Sequence, residues 1–247
     1  MSGLIARVLF APKSGAEEAE WEDAAAYSER RGVMAVADGA SASYRSARWS
    51  SALVDSFVSE PPELAEGLES FLEWVQRVGD RFQADSEAIS ETSWYASDAS
   101  RRGSFATFCA VQLRGGSTPR FRAVQVGDAC LFHCRGDHLV TAPLDDPDSF
   151  GSTPDLLGST PYRESYGAEA ARFVEAAVRG GDVLFLTTDA LGAAMLRLAA
   201  AGQPVWSYFA AVGVTGFDQV VSGLREADVM EDDDVTLLRV RVPQEAR

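Results

Sequence analysis

An α+β domain, with helices laid over antiparallel sheets, is the fold this sequence predicts, and three observations predict it. Apolar runs rich in β-branched and aromatic residues recur seven times along the 247 residues. Several are joined by turns such as RGGSTPR and GD, too short to carry a crossover helix, so neighbouring runs pair antiparallel. Helical spacing appears in blocks rather than after every strand, which favours layers of helix over sheet.

The strand runs are LIARVLF (4–10), VMAVA (33–37), FATFCAVQL (105–113), FRAVQV (121–126), CLFHC (130–134), VLFLTT (183–188) and VTLLRVRV (235–242). After the second run, YRSARWSSALVDSFV repeats Trp49, Leu53 and Phe57 on one stripe. A longer segment from Pro61 sets Leu64, Leu68, Phe71, Leu72 and Val75 on one face, so two helices are expected here. More helix is expected at 168–178, 190–200 and 204–227. The stretch 141–165, rich in Pro, Gly and Ser, reads as a long loop, a feature often tied to function. Trp21, Trp49, Trp74, Trp94 and Trp206 fall at helical or strand-edge spacing and read as core residues. With no internal repeat and no low-complexity linker, residues 1–247 read as one domain.

Acidic residues outnumber basic ones 37 to 22, and a net charge of −15 repels nucleic acid and anionic membranes, so neither is expected as a partner. No window approaches the roughly 20 apolar residues that span a bilayer. The start MSGLIARVLFAPKSG falls short of a signal peptide's apolar core, and a cytoplasmic protein is expected. Cys109, Cys130 and Cys134, an odd number in apolar surroundings, read as reduced core thiols. Cys130, His133, Cys134 and His138 crowd the turn Arg135-Gly136-Asp137, but their spacing matches no zinc pattern and the segment reads as a hairpin. Both histidines are expected to be surface or packing residues.

The strands share a way of ending. Asp38 closes VMAVAD, Asp128 closes FRAVQVGD, Asp189 closes VLFLTTD, and Asp233-Asp234 opens DDVTLLRVRV. Taken singly, each is explained by the hydrogen bonding that favours Asp at turns. Taken together on neighbouring strands, they would repel one another in a patch of low dielectric unless a cation neutralised them. Oxygen ligands without Cys or His select Mg²⁺ or Mn²⁺, and a carboxylate bridging two such ions suits hydrolysis of a phosphate ester.

VMAVADGASAS, QVGDACLFHCRGDHL, VLFLTTDALGAAML and MEDDDVTLLRV, in that order, resemble the metal-dependent protein phosphatases of the PP2C (PPM) family, in its bacterial form. That family's strands end in Val-Ala-Asp-Gly, a Gly-Asp-Ser hairpin, Thr/Ser-Asp-Gly and Asp-Asn-Ile/Val-Thr. Upstream, EWEDAAAYSERRGVMAVADG resembles its Asn-Glu-Asp motif, with Glu22-Asp23 in the last two positions. The resemblance covers nearly the whole chain. It implies a four-layer α-β-β-α sandwich, two antiparallel sheets flanked by helices. It also implies two Mn²⁺ or Mg²⁺ ions, with Asp38 bridging them and the Gly39 carbonyl on the first. Asp23, Asp189 and Asp233 would hold the second, with Glu22 a ligand or bonded to one, and Asp128 aided by Asp189 would mark a weaker third site. The implied nucleophile is a water between the metals, with no protein nucleophile.

The match departs from the family at four places. Ala40, Ser41, Ala42 and Ser43 replace the usual glycines, Ala190 replaces the glycine after Asp189, and Asp234 stands for Asn, adding a charge that hydrogen-bonds or is solvated. The family's phosphate-binding Arg upstream of Glu-Asp is missing. Lys13, Arg45 and Arg102 are the candidate replacements, with Arg48 and Arg101 as further alternatives. Two functions follow: hydrolysis of phosphoserine and phosphothreonine in proteins, opposing a Ser/Thr kinase, or a pseudophosphatase that keeps the fold as a binding or sensor module. Oligomeric state leaves no mark in the sequence. The 141–165 loop is expected to act as a flap that selects protein substrates.

Overall fold

A computed structural model of the chain describes residues 3–15, 21–41, 43–88, 103–150, 153–160 and 167–244. Its strands are β1 (Ile5–Ala11), β2 (Ala24–Ser28), β3 (Val33–Gly39), β4 (Phe105–Arg114), β5 (Arg120–Val126), β6 (Cys130–Arg135), β7 (His138–Thr141), β8 (Leu157–Gly158), β9 (Arg172–Ala177), β10 (Val183–Thr187) and β11 (Val235–Arg241). Its helices are α1 (Ser46–Ser59), α2 (Leu68–Ala88), α3 (Asp189–Ala200), α4 (Val205–Ala211) and α5 (Val214–Glu226). One sheet runs β1-β11-β10-β6-β7 and the other β2-β3-β4-β5-β9, with β8 beside the start of β4. All the pairings are antiparallel.

Strand alternation builds the layers. In β3, Val33, Ala35 and Ala37 join Trp49, Phe57, Phe71 and Trp74 under α1 and α2, while Met34 and Val36 face the opposite sheet. In β11, Val235 and Leu237 join the core beneath α3 to α5, and Leu238 and Val240 point between the sheets. The result is the expected α-β-β-α sandwich. On the helix side of β11, Arg239 is buried and donates from Nη1 to the carbonyls of Phe209 (2.7 Å) and Val212 (2.8 Å). That bond pair satisfies carbonyls at the end of α4, where the helix expected over 204–227 is divided at Val212-Gly213.

Residues 168–178 are a second correction. Ala and Glu favour helix there, yet only 168–170 form a short 3₁₀ turn, and β9 follows as an edge strand on β5. Glu175, opposite Arg122, takes Arg122 Nε at 2.9 Å and Arg120 Nε at 2.6 Å, so tertiary pairing overrides the local propensity. β2, read from AAAYS, carries no β-branched residue and is visible only through its pairing with β3.

Cys109, Cys130 and Cys134 are buried and free. Cys130 and Cys134 face the helices, whereas His133 lies between the sheets, edge-on to Phe121 and bonded to Asp182 at 2.8 Å. His138 is exposed, and β6-β7 is the expected hairpin. Trp49, Trp74 and Trp206 are buried and Trp21 is half-buried, while Trp94 lies outside the described residues. Among the described residues no helix is long and apolar enough to cross a membrane.

Candidate metal centre

Antiparallel pairing brings the C-terminal ends of β3, β5 and β10 to the same rim as the starts of β2, β4, β6 and β11. Asp38 sits opposite Thr107. Thr187 pairs with both Cys130 and Leu237, which sets Asp128, Asp189 and Asp233-Asp234 on adjacent strand ends. A cavity of about 600 Å³ opens there, and Asp38, Gly39, Asp128, Asp189, Glu231 and Asp233 line it. Gly39 lies so close to α1 that a Cβ would meet the Ser46 carbonyl carbon and the Ser50 hydroxyl at 2.8 Å each. The Asp-Gly exit of β3 is therefore set by packing as well as by turning.

The carboxylates share an electrostatic burden. Asp38 is pushed well above its ordinary value by burial, with Asp23, Asp189, Asp233 and Asp128 adding repulsion. Burial, with Asp189 beside it, raises Asp128 to about 7, and burial with Asp234 and Asp189 raises Asp23 to about 8. Asp189 is raised by burial and by Asp233 and Glu231. It begins α3, where the amide of Ala190 donates to its Oδ1 at 2.6 Å and the helix dipole favours an anion. Asp128 is buried, and its Oδ1 has no hydrogen-bond partner among the described residues.

Asp23 does not line this cavity. It lies behind it, 5% exposed, accepting from the Thr188 hydroxyl at 3.1 Å, and borders a second hollow with Phe10 and Trp21. Glu22 accepts from the hydroxyls of Ser41 and Ser46, one on each carboxylate oxygen. The serines that replace glycines thus anchor the loop after Gly39. Ser43 adds to this, taking the Phe105 amide at 3.1 Å. Asp234 is buried and accepts from the amides of Lys13 (3.0 Å) and Glu22 (3.3 Å), so its extra charge ties the chain on either side of 16–20 to the start of β11.

Lys13 and Arg45 are not among the lining residues, and Arg101 and Arg102 lie outside the described residues. Among the described residues, the cation that lines the cavity is Arg197. Sequence reasoning passed over it, although Asp189, Ala193 and Arg197 at four-residue steps were a readable helical stripe. Among the described residues no three carboxylate, histidine or cysteine side chains close on one point as a metal ion requires; the carboxylates stand around the cavity wall. The donor set of hard oxygens and the unpartnered Asp128 oxygen nevertheless suit Mg²⁺ or Mn²⁺.

No protein-family model matches the chain, and no curated protein sequence matches it. Solved structures do. The photosystem II phosphatase PBCP is similar with a TM-score of 0.61 at 16% identity, over 97% of this chain and 99% of that one. The serine/threonine phosphatase PstP/Ppp of Mycobacterium tuberculosis gives 0.61 at 15% identity, over 98% and 99%. The catalytic domain of PstP in complex with two manganese ions gives 0.57 at 17% identity, over 98% and 100%. At these identities the similarity is one of fold: the chain has the layered fold of these PP2C-type phosphatases.

Proposed function

We propose that the chain is a metal-dependent phosphatase of the PP2C type that hydrolyses phosphoserine and phosphothreonine esters in proteins, as the counterpart of a Ser/Thr kinase. One observation carries the reading: on a fold shared with such phosphatases, Asp38, Asp128, Asp189 and Asp233 surround a single cavity, where burial and the other three carboxylates raise the proton affinity of Asp38. Clustered buried charge of one sign destabilises a fold, and a cation is the partner that would offset it.

Asp38, Asp189, Asp233 and the Gly39 carbonyl would hold two Mn²⁺ or Mg²⁺ ions, with Asp128 serving a third and Asp23 supporting from behind. Bound there, the ions would supply a more acidic water and neutralise charge on the phosphate. The chain's own residues do the rest. The clamps from Ser41 and Ser46 to Glu22 fix the loop beside Asp38. Thr188 holds Asp23 in place, and Phe150 and Leu156 line the apolar side of the cavity. Water adds to phosphorus and the alcohol of Ser or Thr departs with a proton, so no side chain need form a covalent bond. The free buried thiols accord with a reducing compartment such as the cytoplasm.

The pseudophosphatase reading has one observation in its favour, that among the described residues no three ligands close on a point. Turnover of an aryl phosphate after chelation, with and without added Mn²⁺, separates the two. The enzyme reading expects turnover restored by Mn²⁺; binding of a phosphopeptide without turnover at any Mn²⁺ concentration would support the module.

A further inference from the structure

One face of α3 runs away from the carboxylates as a wall of the cavity. Asp189, Ala190, Ala193 and Arg197 all line it, and residues at these spacings share one helical face. The facing wall comes from Phe150, Thr153, Pro154 and Leu156. Phe150 sits tightly on α3, since a Cβ on Gly192 would lie 3.2 Å from its ring. The floor between Asp189 and Arg197 is therefore apolar, made of two alanines.

Arg197 stands at the end of this groove. Arg197 is exposed; its Nη1 donates to the Val229 carbonyl at 3.1 Å, which orients the guanidinium, and among the described residues no carboxylate pairs with it. In a chain of net charge −15, Arg197 is the cation that, among the described residues, lines a cavity with five carboxylates. Eight residues of helix place it about 12 Å along the axis from Asp189. That backbone span matches about three residues of extended peptide.

We propose that this groove reads the sequence beside the phosphorylated residue, with Arg197 receiving an anionic group, a carboxylate or a second phosphate, about three residues away. The proposal rests on the phosphatase reading for the position of the first phosphate. Substrates are then acidic or multiply phosphorylated segments with small or apolar residues next to the phosphorylated one, and Arg197 is a specificity residue.

The test is equilibrium binding, read by fluorescence anisotropy in the presence of Mn²⁺. Phosphothreonine peptides carry alanine, glutamate, phosphoserine or lysine three residues before or after the phosphothreonine. The unaltered protein should bind a glutamate or phosphoserine peptide about fivefold or more tightly than the alanine peptide, in one of the two directions. Arg197→Ala should level the series, Arg197→Lys should restore part of the preference, and Arg197→Glu should invert it in favour of lysine. Comparing the glutamate and phosphoserine arms identifies the anion. An equal preference in all four proteins, or no phosphopeptide binding at all, would overturn the proposal. Loss of aryl phosphate turnover alone, with the charge preference intact, would count against the phosphatase reading and leave this one standing.

Discussion

Burial and its neighbours oppose a charge on Asp38, so its replacement should have two effects of opposite sign. Asp38→Asn should abolish Mn²⁺-dependent turnover, and it should raise the thermal midpoint of the metal-free protein, because repulsion with Asp23, Asp189, Asp233 and Asp128 disappears. A metal-free midpoint that falls would show that the carboxylates are not in conflict. Gly39 is tested separately: Gly39→Ala would force a methyl against Ser46 and Ser50, at a cost of about 1–3 kcal/mol in a denaturant melt. At this scale much of the site was legible. Asp at the end of an apolar run shows the rim, and the resemblance in motif order supplied the ligand roles. What stayed hidden were partners set by folding: Glu22 with Ser41 and Ser46, Asp234 with the amides of Lys13 and Glu22, and Arg197 in the cavity. Nothing in a local pattern announces a hydrogen bond across 212 or 221 residues.

Among elements, the central strands were readable because burial on both faces leaves long apolar runs, as in β4 and β11. The edges of the second sheet were not, since β2 and β9 are short, hold two or three alanines each and draw their identity from one neighbour. The 141–165 loop, of which 151–152 and 161–166 lie outside the described residues, has two parts of different character. Leu157-Gly158 forms β8 against β4, and the buried indole of Trp49 donates to the Leu157 carbonyl at 2.9 Å, so this part belongs to the core. The 3₁₀ turn Pro147–Ser149 and Phe150 lie nearer the cavity. Replacing 146–150 with Gly-Ser should therefore lower kcat/KM on a phosphothreonine peptide more than on an aryl phosphate. An equal fall on both would mean that the segment only braces α3. Gly127 joins β5 to β6 at a position only glycine fits. Its φ is +76°, and a Cβ would lie 2.5 Å from the Asp155 carbonyl, so Gly127→Ala should destabilise the protein by roughly 1–3 kcal/mol in a denaturant melt.

For the whole molecule, the buried carboxylates link stability to pH and to metal. Asp23 and Asp128 titrate near 8 and near 7 when folded, against 3.8 ordinarily, so the folded state binds more protons throughout that interval. The stability they contribute is fully present below the ordinary value and is lost as pH rises through the folded values. The metal-free thermal midpoint should accordingly fall between about pH 5 and about pH 8, and saturating Mn²⁺ should flatten the fall by binding the native state alone. A metal-free midpoint that rises across this range would contradict the electrostatics. The central claim is that this ring of carboxylates exists to hold divalent cations, and calorimetric titration of Mn²⁺ at about pH 7, in two buffers of different ionisation enthalpy, tests it most directly. The cations must displace protons from carboxyls whose affinity for them is raised, so the account predicts binding with release of about one proton, lost in Asp38→Asn. Absence of binding, or binding that releases no proton and survives Asp38→Asn, would contradict it.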